Sequence, residues 1–294
     1  MAGVKEECEK AGKQCGACGE RETCPAGETF APAHKLSQVR HLVAVMSGKG
    51  GVGKSSVSAL LATTLSRQGC RVGILDADIT GPSIPKLFGI KERVEGSEFG
   101  VYIPKSPKLG IYVMSANLFL EREDDPVIWR GPIISNVIRQ FWTDVAWGKL
   151  DYLIVDLPPG TGDAPLTVMQ SLPLDGVIIV SSPQDLAVMV VRKAIRMVAE
   201  MKVPILGLVE NMTYVTCGKC GQKIFAFGEP QGEKVAAETG VPLLSTLPID
   251  PELSRLGDEG RIEDYTPTGL EELASTLEDR FKSSSKTARL LFQQ

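Results

Sequence analysis

Apolar residues in this chain gather in short unbroken runs, separated by stretches where they recur every three or four positions. The runs are 41–46 (HLVAVM), 72–75 (VGIL), 152–155 (YLIV), 177–180 (VIIV), 205–209 (ILGLV) and 242–244 (PLL). Runs this short, with no polar alternation, suit strands buried on both faces. After the first run Val57, Leu60, Leu61, Thr64 and Leu65 repeat at helical spacing, and further helical patterns cover 132–147, 186–201 and 232–239. The alternation predicts an α/β fold with right-handed crossovers on a mainly parallel sheet flanked by helices, with ligands at the strands' carboxyl ends. Leu270, Leu273, Ala274, Leu277 and Phe281 form one face of a terminal helix, opposite Glu271, Glu272, Glu278 and Asp279. The serines at 283–285 predict the start of a loose tail, so the expected organisation is an arm at 1–36, a body at 37–283 and a flexible tail at 284–294.

Composition narrows the class. The 294 residues are 43% hydrophobic and 23% charged with a formal net charge of -4, which allows a large core and gives no reason to expect a nucleic-acid surface. Uncharged stretches such as 55–66 fall far short of the roughly twenty apolar residues a spanning helix needs. The acidic terminal helix lacks the basic face of a membrane-surface helix. Lys5, Glu6, Glu7, Glu9 and Lys10 interrupt any signal-peptide core, so the expectation is a cytoplasmic protein with no membrane partner.

Between the first run and its helix lies Gly48-Lys49-Gly50-Gly51-Val52-Gly53-Lys54-Ser55, followed by Ser56. Its glycines let backbone N–H groups turn onto phosphate oxygens, Lys54 brings charge to the terminal phosphates, and the Ser55 hydroxyl can ligate Mg2+. Strand, loop and helix stand in the order a phosphate-binding loop requires. The second run ends in Asp76-Ala77-Asp78, the third in Asp156-Leu157-Pro158. Asp156 is placed to hold a magnesium shell, usually through water, and Asp78 to orient an attacking water. Asp76 reads equally as a catalytic group or a structural acceptor, and Asp163 as a helix N-cap. Trp129, Trp142 and Trp147 read as packing anchors, Cys70 as a buried packing residue, and His34 and His41 have no matching partners.

The other six of the seven cysteines cluster at Cys8, Cys15, Cys18 and Cys24, and at Cys217 and Cys220. In a reducing compartment such clusters suggest metal ligands rather than disulfides. Residues 1–36 are poor in large apolar groups, so a bound metal or cluster would have to order them. Two thiolates at 217 and 220 cannot fill the four positions an iron-sulfur cluster or structural zinc demands, and a symmetric dimer could complete the site. The pattern itself leaves cluster and zinc knuckle both open.

Lys49 in GKGGVGKS, DADITGPSIP at 76–85, DLPPGTGD at 156–163, Asn211 after the fifth run, and Cys217-Gly-Lys-Cys220 together resemble the Mrp/NBP family of iron-sulfur cluster carrier ATPases. That family belongs to the deviant Walker A class of P-loop NTPases, with MinD, ParA and the nitrogenase iron protein. The resemblance spans roughly 40–260. It implies a homodimer binding two ATP molecules at its interface, with Lys49 reaching the partner's nucleotide, and a 4Fe-4S cluster held by Cys217 and Cys220 of both chains. It also suggests adenine contacts from Asn211, which could equally cap the end of its strand, and from Asp250. Cys8, Cys15, Cys18 and Cys24, with Pro25 after the last, resemble the ferredoxin-like motif of the NBP branch. The six residues between Cys8 and Cys15 are fewer than in familiar eukaryotic members, which leaves Cys8 the least secure ligand and an intramolecular zinc site the runner-up. The function implied is ATP-dependent assembly of a 4Fe-4S cluster and its delivery to apoproteins, alone or with a related heteromeric ATPase. A MinD/ParA-type positioning ATPase and an ATP-driven electron-transfer component are the alternatives.

Overall fold

The computed structural model describes residues 30–79, 81–97, 100–119, 131–266 and 269–291. In chain order its elements are β1 (Gln38–Ser47), α1 (Lys54–Arg67), β2 (Val72–Asp76), α2 (Ile84–Leu87), β3 (Glu95–Ser97), β4 (Gly100–Tyr102), β5 (Tyr112–Ser115), α3 (Gly131–Thr143) and β6 (Lys149–Asp156). There follow α4 (Asp163–Ser171), β7 (Gly176–Ser181), α5 (Asp185–Glu200), β8 (Ile205–Glu210), β9 (Val215–Thr216), β10 (Lys223–Ile224), α6 (Gly232–Thr239), β11 (Leu243–Thr246), α7 (Pro251–Asp258) and α8 (Leu270–Leu291).

Seven strands pair in the order β11-β8-β7-β1-β6-β2-β5, and every pairing is parallel. From β1 the chain first moves outward to β2 and later, after β6, to the other side through β7, β8 and β11. Strand order therefore reverses beside β1, which opens a crevice at its carboxyl end. Successive residues of each central strand enter opposite cores: Leu42, Ala44 and Met46 one, Val43 and Val45 the other. That two-sided burial is why the runs are unbroken, and each fully buried Val, Ile or Leu contributes about 2 kcal/mol. One core is closed by α3 and α5 through Ile138, Phe141, Val191, Ala194 and Val198. The other is closed by α1 and α8 through Val57, Leu60, Leu61, Leu65, Leu270, Leu273, Ala274 and Leu277.

Several elements depart from the sequence expectation. The pattern at 132–147 yields a helix that stops at Thr143. Trp147 instead lies on the approach to β6, its ring fully buried and its Nε1 donating to the Phe141 carbonyl at 3.0 Å, before Gly148 turns the chain at φ 66°. The edge strand β5 and the short helices α2 and α7 lie outside the sequence expectation, whereas α4 is the helix expected to start at Asp163. Asp163 is the first residue of α4 rather than its cap; Gly162 takes that place and no side chain caps the helix. α8 continues to Leu291, past the serines where a loose tail was expected, because Lys286, Ala288, Arg289, Leu290 and Leu291 are good helix formers. Residues before 37 already join the body: Ala31 is buried, and its carbonyl accepts from Trp142 Nε1 at 2.8 Å. Cys70 is only partly buried, beside Glu278, and His41 stacks on Phe281 with centroids 4.1 Å apart.

Candidate functional site

The loop between β1 and α1 holds two kinds of glycine. A Cβ on Gly48 would meet Val190 Cγ1 at 2.4 Å and the Val190 carbonyl oxygen at 2.9 Å; one on Gly53 would meet Asn211 Nδ2 at 2.3 Å. Close packing thus forbids side chains at both ends. At Gly50 and Gly51 a Cβ would meet nothing within 4 Å, so the middle of the loop faces open space. Gly51 and Gly53 both sit at φ 78°, which L side chains rarely adopt. At the loop's end α1 has no acidic residue in its first turn and no side-chain cap. Its first N–H groups and positive dipole end face the crevice, an arrangement suited to phosphate.

Register brings the carboxylates to this crevice: Asp76 pairs with Asp156 on one side and Ser115 on the other, at the ends of β2, β6 and β5. Asp156 is fully buried. Its Oδ2 accepts from Lys54 Nζ at 2.7 Å and Ser55 Oγ at 2.6 Å, and its Oδ1 from Ser58 Oγ at 2.6 Å. Ser58 escaped sequence reasoning, though it lies one helical turn beyond Lys54 and on the same face. Ser55 Oγ and the Asp156 carboxylate form adjacent hard oxygen donors that fit Mg2+. Asp78 is also buried, with its Oδ2 4.0 Å from Lys54 Nζ.

Asp76 is the structural acceptor of the two alternatives. Oδ1 takes the Asp78 N–H at 3.2 Å; Oδ2 takes the Ile84 N–H at 3.3 Å and Ser115 Oγ at 3.2 Å. Complete burial, then the neighbouring Asp156 charge, raise its pKa to about 8, against the opposing pull of Lys54. A carboxyl raised this far stabilises the fold fully below its unfolded pKa, and that contribution is lost as pH rises toward 8. Asp76→Asn, which mimics the protonated acid, should therefore fold and flatten the fall in stability between pH 6 and 9. Denaturant melts across that range test it; identical pH slopes for both proteins would mean an ionised Asp76.

Beside the loop, Gly53, Ser56, Asn211, Met212, Phe227, Pro248, Ile249, Asp250 and Leu253 line a pocket of about 470 Å3 that continues to Asp258. Asn211 is buried, and its Nδ2 donates to the Val52 carbonyl at 2.9 Å, tying β8 to the phosphate loop. It therefore both ends the strand and lines the pocket. Asp250 caps α7: one oxygen accepts the Glu252 N–H at 2.9 Å, the other the Tyr265 hydroxyl at 2.7 Å. Lys49 points elsewhere, its Nζ donating to Gln184 Oε1 at 2.5 Å.

Cys217 and Cys220 occupy the turn of the β9–β10 hairpin. The Cys217 N–H donates to the Gln222 carbonyl at 2.9 Å and its carbonyl accepts the Gly221 N–H at 2.9 Å, with Gly221 at φ 73° closing the turn. Cys217 is half-buried and Cys220 exposed. The N–H groups of Lys219 and Cys220, with the Cys220 thiol, hold the Cys217 pKa below its usual value, which favours the ligating thiolate. Among the described residues no three His, Cys, Asp or Glu side chains are grouped to hold a metal, so the pair stands short of a complete set. Cys8, Cys15, Cys18 and Cys24 lie outside the described residues, as does Trp129. No helix among the described residues is long and apolar enough to cross a membrane.

A family model described as NUBPL iron-transfer P-loop NTPase, of the ParA group, matches residues 38–281. The iron-sulfur cluster carrier protein of Clostridium perfringens is 43% identical over 269 residues, 89% of this chain and 92% of that protein. A nucleotide-binding protein from Archaeoglobus fulgidus, solved in complex with ADP, matches with a TM-score of 0.72 at 48% identity, over 79% of this chain and 91% of that one. The cell division ATPase MinD of Pyrococcus furiosus matches with a TM-score of 0.61 at 21% identity over 82% and 99% of the two chains, a likeness of fold alone.

Proposed function

The chain belongs to the NUBPL-type iron-transfer P-loop NTPases, and from that premise we propose that it is an ATP-dependent carrier that holds a 4Fe-4S cluster and delivers it to apoproteins. The observation that carries this reading is the cysteine hairpin: two accessible thiols, one tuned toward thiolate, with no further ligand grouped beside them among the described residues. A second copy of the chain supplies two more, and a cluster shared across a homodimer axis is easier to surrender than one enclosed by a single chain. The names borne by the relatives support the carrier over the positioning ATPase and the electron-transfer component. A reducing cytoplasm is the compartment that suits exposed thiols and a labile cluster.

In this reading the open middle of the loop and the α1 N-terminus take the phosphates, Lys54 leaves Asp156 for the terminal phosphates, and Asn211 and Asp250 flank the base. Ser55 and Asp156 would hold Mg2+, which neutralises developing phosphate charge. Asp78, within reach of Lys54, orients the attacking water. Lys49 is partly exposed and serves the nucleotide of the partner subunit. Cys8, Cys15, Cys18 and Cys24 form a second site within each arm. Anaerobic reconstitution with iron and sulfide tests the carrier role: the protein should gain a cluster, pass it to an apoprotein, and do so at a rate that ATP changes. A cluster that never leaves would overturn the proposal.

A further inference from the structure

The segment 211–231 is a loop from the edge of the nucleotide crevice out to the cysteines and back, and both its ends are pinned at one place. Its outgoing end is Asn211, bonded to the phosphate loop through Val52. Met212 follows at φ 60°, a conformation costly for a side chain of this kind, with its Cε 3.5 Å from where a Gly53 Cβ would sit. Tyr214 then accepts the Ile249 N–H at 2.7 Å, and Ile249 itself lines the pocket. The returning end is Gln231, whose N–H donates at 2.8 Å to Glu210, the residue before Asn211. Between these anchors β9 and β10 pair through Thr216 with Lys223 and Val215 with Ile224, and carry the cysteines at their turn.

Phe227 lies on the returning arm, seven residues after Cys220, and forms part of the pocket wall with Asn211, Met212 and Asp250. Its side chain is left 41% exposed. An aromatic ring on a pocket wall with so much open surface gains by covering it with a planar base. We propose that Phe227 packs against the nucleotide base and thereby makes the Cys217 and Cys220 hairpin sense nucleotide occupancy within one chain. This rests on the nucleotide reading of the pocket and adds a route to it: the ring meets the base, and its backbone runs back to β10 in three residues through turns in which the Ala226 N–H donates to the Ile224 carbonyl at 3.1 Å and the Gly228 N–H to the Phe225 carbonyl at 3.2 Å. Ordering the ring orders the hairpin, so thiol access falls when a base is bound.

The test uses full-length, reduced, metal-stripped protein, titrated calorimetrically with Mg-ADP and with tripolyphosphate, which has no base. Phe227→Ala should weaken ADP roughly tenfold and leave tripolyphosphate unchanged, while Phe227→Tyr should match the wild type. In the same samples alkylation of Cys217 and Cys220, followed on their peptide by mass spectrometry, should slow severalfold with saturating ADP in the wild type. It should not slow with tripolyphosphate, nor in Phe227→Ala. Unchanged ADP affinity in Phe227→Ala, or protection that survives in it at saturating ADP, overturns the proposal. Loss of tripolyphosphate binding in Phe227→Ala together with loss of ADP affinity in Phe227→Tyr would make the ring a packing element and overturn it as well. A wild type that binds neither ligand instead overturns the nucleotide reading beneath it.

Discussion

Replacing Cys217 and Cys220 together by serine should abolish delivery of a cluster to an apoprotein while the fold and nucleotide binding survive. The hairpin is held by backbone bonds, from the Cys217 N–H to Gln222 and from Gly221 to Cys217, and by the β9–β10 pairing, none of which uses sulfur. Cys220 is exposed and Cys217 half-buried, so the stability change should stay within about 0.5 kcal/mol. Serine keeps the size but not the soft thiolate an iron-sulfur cluster requires. Mixing the variant with wild type adds a quantitative test. If each cluster needs both chains, activity declines as the square of the wild-type fraction. A linear decline would place the whole ligand set in one subunit, and intact transfer by the double variant would sink the carrier mechanism.

Lys54→Ala should lose nucleotide binding by about two orders of magnitude or more, because it removes a buried cation facing the phosphate position. The same change strips Asp156 of its partner at 2.7 Å, in a buried site that Asp76 and Asp78 share. Breaking a buried pair in this way costs about 3–5 kcal/mol, so melts must accompany the calorimetry. Lys49→Ala makes the contrast. Lys49 is partly exposed and bonded to Gln184 rather than to the buried carboxylates, so the variant should keep affinity and stability yet lose turnover that depends on the dimer. Equal nucleotide affinity in the two variants would show that the two lysines do not divide the work as assigned.

The reach of sequence reasoning follows from what each feature depends on. The phosphate loop was legible because its function resides in consecutive residues, and 232–239 matched α6 because eight residues carry their own periodicity. The central strands were legible because burial on both faces demands apolar residues at every position. β5 has only four residues on the sheet's edge, and α2 has four, too few for any period to emerge. Helix α3 was overextended because Trp147 continues an apolar pattern for a different reason: it is buried by the turn that precedes β6.

The sequence alone determined the chemistry present: which residues can cradle phosphate, hold magnesium or ligate iron, and on which kind of element each sits. Tertiary structure decided what those residues do to one another. Asp76 and Asp78 are indistinguishable as letters, and only Ser115 and the Ile84 N–H, delivered by β5 and α2, mark Asp76 as the fully buried acceptor, while Asp78 turns its Oδ2 to within 4.0 Å of Lys54 Nζ. Asn211 meets Val52 across 159 residues, and Ser58 meets Asp156 across 98. Local periodicity records which face of an element is buried but not what lies opposite it; that depends on the strand order, and here the order sets the cysteine hairpin and the phosphate loop at the two ends of one short path through Asn211.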